Sequence, residues 1–585
     1  MRRVAFATLA VLACSAAAAA AAVPRSAKQV GGTQTLMPNV TYQRLVQFTS
    51  HGPVVFHVLT APRPGGLYAV RPVLSNNAIV GRERVTDMQK ELASTATVAG
   101  TSGDLFNLRD GRPNGVLMRG GVLDSAPLAE RSSIGIDTTG ALHVDRVSFN
   151  AYWKAAGQRR PLQLNAPPVK TNTVTLYTPA WGPTTPAESG PVLVETLTPF
   201  PATAPNVDLT GTVASIQQAA GGVPIPAGGA VLVARGNQAP IVGAEALVGA
   251  PVLVHLTLTP SWAGITEALG GGPLIVRNGR AVFRANELFS TDQLLPRDPR
   301  VGIGQLPDGR IVLVAVDGRR TGYSVGATNF ELGQTMQQLG CVTASALDAG
   351  GSTTMAFEGQ LLNEPSDPGG EAQVAEALLV EYFGVYVPPP SVAVLSPNGD
   401  GVDELQTLGY KVVRPSTVTA SVVGPDGVAR PIDSGQRAPG TYTFSWTGLR
   451  ADGTPEPEGS YQFTVAAVDD QSQTSTSSRP FSIEATLGFL VSQSKIVIRK
   501  KGVALRGTYQ LAHPATVSAQ IQTQSGITVR TLSRAVQQAG QQSVTWDGRI
   551  GAGTRAFGGS YQLVVSATNA LGTAALSQAF TARRG

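Results

Sequence analysis

Cysteine is nearly absent from this 585-residue chain, which has only Cys14 and Cys341. Cys14 lies in an N-terminal segment expected to be removed, so Cys341 is left without a partner. An internal disulfide is therefore excluded, and cores and turns must supply the stability. Histidine is also scarce, with five residues scattered from His51 to His513. A two-metal phosphodiesterase needs clustered His and Asp ligands, which this set does not provide. Charged residues make up 14%, and the net charge is +6, of which Arg2 and Arg3 supply two. Apart from Arg499-Lys500-Lys501 there is no basic cluster, so a nucleic-acid partner is not expected. Beyond the N-terminus no apolar run is long enough to span a membrane.

What the chain does contain is glycine (66), proline (41) and 42% hydrophobic residues. That combination predicts packed interiors built from many short strands joined by tight turns, and it argues against disorder. Arg2 and Arg3 precede an alanine-rich apolar run, Val4–Val23, with Ala-x-Ala sites near Ala20–Ala22. This is the pattern of a secretory signal, so residues 1–22 are expected to be cleaved and the protein to be secreted or held at the cell surface. Val11-Leu12-Ala13-Cys14 loosely resembles a lipoprotein box, with Leu12 larger than that box usually takes.

Proline punctuates the chain once more at Pro388-Pro389-Pro390, which reads as a stiff, exposed linker over 388–390 after the apolar run Ala377–Val387. Beyond it the sequence repeats. Trp446, Gly448, Gly459, Ser460, Tyr461 and Gln462 recur as Trp546, Gly548, Gly559, Ser560, Tyr561 and Gln562, a spacing of 100 residues. Copies at that spacing, alternating as in Tyr461-Gln-Phe-Thr-Val, predict tandem β-sandwiches at 391–485 and 486–585, with the Trp and Tyr in their cores. Asn398, Asp400, Asp403 and Glu404 share one short turn, where a calcium loop and a plain Asn-Gly/Asp-Gly turn compete, and the plain turn is preferred.

Residues 23–387 read as one α+β domain rich in antiparallel sheet. Alternation predicts strands at Pro53–Leu59, Leu142–Phe149, Thr173–Thr178, Val231–Arg235, Val252–Leu258 and Ile311–Val316. Helical patterns are fewer: Arg84–Thr97, Asn329–Leu339 and Ser261–Leu269, with Asn329 as an N-cap and Gly340 as a stop.

Within that domain, the stretch Leu347-Asp348-Ala349-Gly350-Gly351-Ser352-Thr353-Thr354-Met355 ends an apolar strand in a carboxylate, two glycines and three hydroxyls. Such a turn can aim N–H groups at an anion. A serine-hydrolase reading of Ser352 is poor, because the stretch is not G-x-S-x-G and no histidine is near in sequence. Together with Leu361-Leu-Asn363-Glu-Pro365-Ser366, this stretch resembles the signature of the phosphodiester glycosidase family. Ala349 is a small departure from it, and Ser102 stands where asparagine is usual in an earlier motif of the family.

Further blocks resemble that family in order: Thr101–Phe106, Leu176–Gly182, Gly270–Gly279, Arg300–Gly304 and Val316–Arg319. At Gly370-Glu371-Ala372 the family's usual Glu-Arg pair is missing its arginine. The tail modules resemble the immunoglobulin-like domain of flagellar hook-capping proteins, and are expected to dock the enzyme to a cell surface or polymer.

The resemblance implies hydrolysis of the sugar–phosphate linkage of a glycosyl-1-phosphodiester, either GlcNAc-1-phosphodiester-like or a cell-envelope glycopolymer. It implies Asp348 as lead carboxylate with Asp104 or Asp317 as partner. Gly350, Gly351, Ser352 and Thr353 would cradle phosphate, Arg300 or Arg319 would clamp it, and Asn363 and Glu371 would complete the site. No cofactor is expected, and a divalent cation, calcium or magnesium, is left open. Two other readings compete with this one. They are a non-catalytic carbohydrate-binding or adhesion protein that keeps the fold, and a metal-dependent phosphodiesterase.

Overall fold

A computed structural model describes residues 28–168, 172–551 and 553–585. The expected signal segment, its cleavage point and Cys14 lie outside the described residues. No helix among the described residues is long and apolar enough to cross a membrane. Cys341 is a free, buried thiol.

Two antiparallel sheets frame the first domain. In the larger, the strands Val40–Thr49, Gly52–Ala61, Ile311–Val316, Arg300–Gln305, Thr343–Ala349 and Leu274–Arg277 lie side by side in that order. In the smaller, Met355–Phe357, Thr97–Ser102, Glu376–Tyr382 and Tyr68–Leu74 are neighbours. Leu347, Val301, Ile303 and Leu313 of the larger sheet meet Ala99, Leu378 and Val380 of the smaller in one core. Gly100 sits where a Cβ would come 2.3 Å from the Leu378 carbonyl oxygen, so close packing of these strands requires glycine. The opposite face of the larger sheet, Ala344, Ala346, Val312 and Val314, is covered by Leu332 and Met336 of the helix Asn329–Gln338.

That helix starts one residue earlier than the sequence predicts. Thr328 is the N-cap: its hydroxyl accepts from the Glu331 N–H at 3.2 Å, and the Glu331 carboxylate accepts from the Thr328 N–H at 2.9 Å. Gly340, at φ +96°, stops it as expected. The helix predicted over Arg84–Thr97 is shorter, Val85–Leu92, because Thr97 already begins a strand. The helix predicted over Ser261–Leu269 does not form. Ile265–Gly270 is a strand between Ser132–Asp137 and Leu117–Arg119, and two pairing partners outweigh its helix-favouring composition.

Between these framework strands the chain makes an excursion. Ser148–Lys154 pairs with Pro251–Thr259, Ser148 opposite Thr259, and the residues between them build an eight-stranded sheet around its own core of Trp153, Leu176, Leu232 and Val254.

The two tail modules are β-sandwiches. Trp446 packs on Tyr461 and Trp546 on Tyr561, with ring centroids 5.5 and 6.0 Å apart. Each tyrosine hydroxyl donates to a carbonyl four residues back, Pro457 and Phe557. In the acidic turn, Asn398 and Asp400 accept N–H bonds from Asp400 and Val402, and Asp400 also takes the Phe489 N–H of the second module. The side chains are engaged with backbone, as a structural turn requires.

Val385 and Val387 lie in the first sandwich's core beside Leu408, Tyr410 and Phe463, although the sequence reading gives them to the preceding domain. Tyr386 exchanges both backbone hydrogen bonds with Lys411.

Candidate active site

The strand Thr343–Ala349 delivers Asp348 through a β-bulge. Its pairing with Arg300–Gln305 places Ala346 opposite Gly302 and Ala349 opposite Arg300, so Leu347 and Asp348 together face the single residue Val301. A bulge of this kind re-aims a side chain that regular alternation would send to the other face. Asp348 donates its N–H to the Gly103 carbonyl at 2.9 Å, and its Oδ1 accepts the Ala349 N–H at 2.8 Å. Its Oδ2 is buried without a hydrogen-bond partner. Burial pushes this carboxyl up to about 7, opposed by the Ser352 hydroxyl, the Ala349 N–H and the Ser102 hydroxyl, and reinforced by the charge of Asp104.

Asp104 arrives from the strand Thr97–Ser102 across Gly103. Its Oδ1 accepts from Arg131 Nη2 at 2.7 Å, and Arg131 also donates to the Gly271 carbonyl at 3.0 Å. A Cβ on Gly270 would stand 2.1 Å from Asp104 Oδ2, so the three-glycine run beginning there makes room for the carboxylate. Glu376, the first residue of Glu376–Tyr382, accepts the Asp104 N–H at 3.2 Å, while its Oε2 has no partner. Burial, with the Asp104 charge adding to it, pushes Glu376 up to about 8. Asp104 itself is raised by burial, and Arg131 opposes the rise.

Three buried carboxyls thus lie close enough to feel one another's charge, and one of them, Asp104, pairs with Arg131. Asp348 is 2% exposed, and Asp104 and Glu376 are 1% exposed. One cation compensates one carboxylate. Asp104 has the direct contact with Arg131, which opposes the rise that burial causes, while Asp348 and Glu376, without such a partner, carry protons into the neutral range. Arg131→Ala is expected to cost about 3–5 kcal/mol in a denaturant titration, because it strands the Asp104 charge. Adding Asp104→Asn should restore part of that loss. An unchanged midpoint for Arg131→Ala would show that the pair does not carry a buried charge.

The remaining predicted residues divide. Asp317 is buried, but its partners are a different set. Its Oδ2 accepts from Tyr323 and lies 2.8 Å from His57 Nε2, and its Oδ1 accepts from Asn363 Nδ2 and the Glu364 N–H. Burial raises its carboxyl, yet the His57, Tyr323 and Asn363 contacts together hold it below the usual range. Asn363 joins this network to the glycine turn, donating to the Thr353 carbonyl at 3.1 Å and accepting the Met355 N–H at 2.7 Å. In the turn, Gly350 has φ +90° and gives its N–H to the Pro299 carbonyl, and the Gly350 carbonyl accepts the Thr353 N–H. The Thr353 hydroxyl is buried without a partner, and Gly351 packs beside Asp367.

Arg319 lies over this turn, its Nη2 3.1 Å from where a Cβ on Gly350 would sit, and pairs with Asp298 at 2.6 and 3.0 Å. Arg300 is buried and donates to the carbonyls of Ala327, Gln293 and Pro296, so it ties down the 293–297 segment. Glu371 is elsewhere: it accepts the Thr86 N–H and hydroxyl at the first turn of Val85–Leu92, where a carboxylate stabilises a helix start.

Glu376 and Arg131 were not singled out in the sequence. Glu376 had a signal, a carboxylate heading an apolar run as Asp348 ends one. Arg131 had none.

A cavity of about 130 Å³ is walled by Leu105, Leu347 and Ala349, the chain neighbours of Asp104 and Asp348, together with Phe289, Arg300 and Asn329, while the three carboxyls themselves stand behind its wall. Among the described residues no group of three or more His, Cys, Asp or Glu is arranged to hold a metal ion.

Residues 204–381 match the family model described as phosphodiester glycosidase, and 407–471 and 494–570 match the FlgD Ig-like domain. The chain therefore resembles phosphodiester glycosidases over 204–381. That stretch holds Asp348 and Glu376, whereas Asp104 and Arg131 precede it.

Among individual relatives, the SPbeta prophage-derived uncharacterized protein YomE of Bacillus subtilis is 36% identical over 119 residues, 20% of this chain and 18% of that protein. The basal-body rod modification protein FlgD of Salmonella typhimurium is 29% identical over 148 residues, 25% of this chain and 60% of its own. The chain thus spans less than two thirds of either relative. A hypothetical protein from Synechocystis has a crystal structure that superposes with a TM-score of 0.49 at 28% identity, covering 60% of this chain and 63% of that one. The catalytic domain of zebrafish N-acetylglucosamine-1-phosphodiester alpha-N-acetylglucosaminidase, auto-inhibited by its pro-peptide, gives 0.31 at 12% identity, covering 61% and 87%.

Proposed function

We propose that the first domain is an exported hydrolase that cleaves the sugar–oxygen bond of a glycosyl-1-phosphodiester, of a GlcNAc-1-phosphate type or in a cell-envelope polymer. The observation that carries this reading is Asp348, a buried acid pushed up to about 7 with the Arg131-paired Asp104 nearby, within a stretch matching phosphodiester glycosidases. Glycoside cleavage uses such a pair, one group supplying a proton and one facing the positive charge that develops on the sugar. Asp348 supplies the proton to the leaving phosphate oxygen, and the Asp104 carboxylate stabilises the oxocarbenium-like sugar. Water adds to C1, and the products are the free sugar and a phosphate monoester. Arg319, over the glycine turn and paired with Asp298, would be the cation to meet phosphate.

The test is incubation of a methyl ester of GlcNAc-1-phosphate in ¹⁸O-water, with the label read by mass spectrometry before a phosphomonoesterase is added. Phosphate release that depends on the protein, with the label in the sugar, is expected. Label in the methyl phosphate would mean P–O cleavage and would overturn the reading. The near-complete burial of all three carboxyls favours a second reading, a non-catalytic carbohydrate-binding protein on the same fold. Binding of the ester without turnover would select it.

A further inference from the structure

A second, larger cavity of about 450 Å³ lies next to the cleft, and the two share Pro273, Phe289 and Asn329 as a common wall. Its sides are apolar. Phe283 and Leu295 are 72% and 68% exposed, and Phe283 meets Phe330 edge-on with ring centroids 5.2 Å apart. Large apolar side chains left open around a concavity mark a binding site. Away from the shared wall its polar groups are mostly engaged, and the Arg284 guanidinium lies over the Phe283 ring, 5.8 Å from its centroid. Glu287 accepts the N–H and hydroxyl of Ser132 and the N–H of Leu274, and the carbonyls of Ala285 and Asn286 accept from Arg146. A sugar lying there would lose hydrogen bonds to water and find few replacements, whereas a hydrocarbon chain loses none. On the shared wall, Asn329 Oδ1 is buried without a donor.

We propose that this groove holds the aglycone of the phosphodiester, and that the aglycone is a hydrocarbon chain. The substrate is then an amphiphile, glycosyl–phosphate–alkyl, with its sugar at the carboxyl cluster and its chain along Phe289 towards Phe283 and Leu295. This rests on the reading of the cleft as a phosphodiester glycosidase site. The commitment to a chain, and not to a second protein, comes from continuity with the cleft. A protein-docking patch has no need to open into a reaction site.

The experiment compares methyl and decyl esters of one glycosyl-1-phosphate, below the micellar concentration of the decyl ester. Wild-type kcat/KM should favour decyl at least tenfold, since each buried methylene adds to binding. In the Phe283→Ser/Leu295→Ser variant, altered only at exposed positions, the decyl-to-methyl ratio should fall towards one. A wild-type ratio near one, or a ratio the variant leaves unchanged, overturns the proposal. Calorimetry with decyl phosphate separates the two readings. If neither ester is cleaved but decyl phosphate binds wild type and not the variant, the groove stands and the proposed activity falls. If the substitutions abolish a concentration-dependent dimer and change neither alkyl binding nor the ratio, the groove is a self-association surface and the proposal fails.

Discussion

Asp348→Asn is expected to fold as wild type does and to lose at least about a hundredfold in turnover on a glycosyl phosphodiester. The amide reproduces the shape of the protonated acid that burial enforces but has no proton to give. The same variant reads the titration. Asp348 rises from an ordinary 3.8 to about 7, so the folded state holds a proton that the unfolded chain has released. Its stability contribution therefore declines as pH rises from about 4 and levels off above about 7, a span worth about 4 kcal/mol. Asp348→Asn removes that slope. Its melting temperature should fall less than that of wild type between pH 5 and pH 8 and match or exceed it at pH 8. Near-normal turnover would remove Asp348 from the chemistry, and a variant unfolded at pH 5 would make it a structural turn residue. Ser352→Ala should be milder, because its hydroxyl is one of several groups favouring the ionised form.

A chain cut at Val387 is expected to melt on the order of 10 °C below the full protein, or to aggregate. Residues 388–390 read as an exposed linker in sequence, but the junction is packed. Val385 and Val387 are each 1% exposed, within the first sandwich. Their N–H groups donate to the hydroxyls of Ser475 and Ser477. The sandwich also reaches back: Lys411 donates to Glu358 and the Ala96 carbonyl, and Arg479 to the carbonyls of Thr35 and Leu36. Uncovering two valines alone costs about 1.5–3 kcal/mol each, and each kcal/mol lowers the melting point of a domain this size by about 2–4 °C. A chain that keeps the first sandwich and ends near Glu484 should melt as the full protein does. If the 387 cut is as stable and soluble as the full chain, the packed junction is energetically idle.

Much of this architecture was legible because it is local. Alternation found Ile311–Val316 residue for residue, and the W-x-G…G-S-Y repeat found both sandwiches. The carboxylate after an apolar run drew attention to Asp348, which is buried at a bulge. What failed was long-range. Ile265–Gly270 takes its conformation from strands more than a hundred residues away in sequence, so its composition misled. Arg131 follows Glu130 and precedes serines, an ordinary surface pattern, and only Asp104 gives it meaning. Asp317 and Glu371 were drawn to the site by position within resembling blocks. The fold uses one to anchor the Asn363 turn and the other to start a helix. The bulge that turns Asp348 inward depends on pairing register, which one strand's residues do not encode.

The excursion that leaves at Ser148 and returns at Thr259 bears on how the carboxyl cluster is assembled. Asp104 and Glu376 stand 272 positions apart, a separation that makes their meeting slow if the chain between them is slack. Because Ser148 pairs with Thr259, the eight-stranded module can close on its own and shorten that span like a knot drawn in a rope. Arg131 lies just before the knot and Gly271 just after it, and they are hydrogen-bonded. A module that closes first would hold the counter-charge in place for Asp348 and Glu376, the two acids supplied from the far end of the domain.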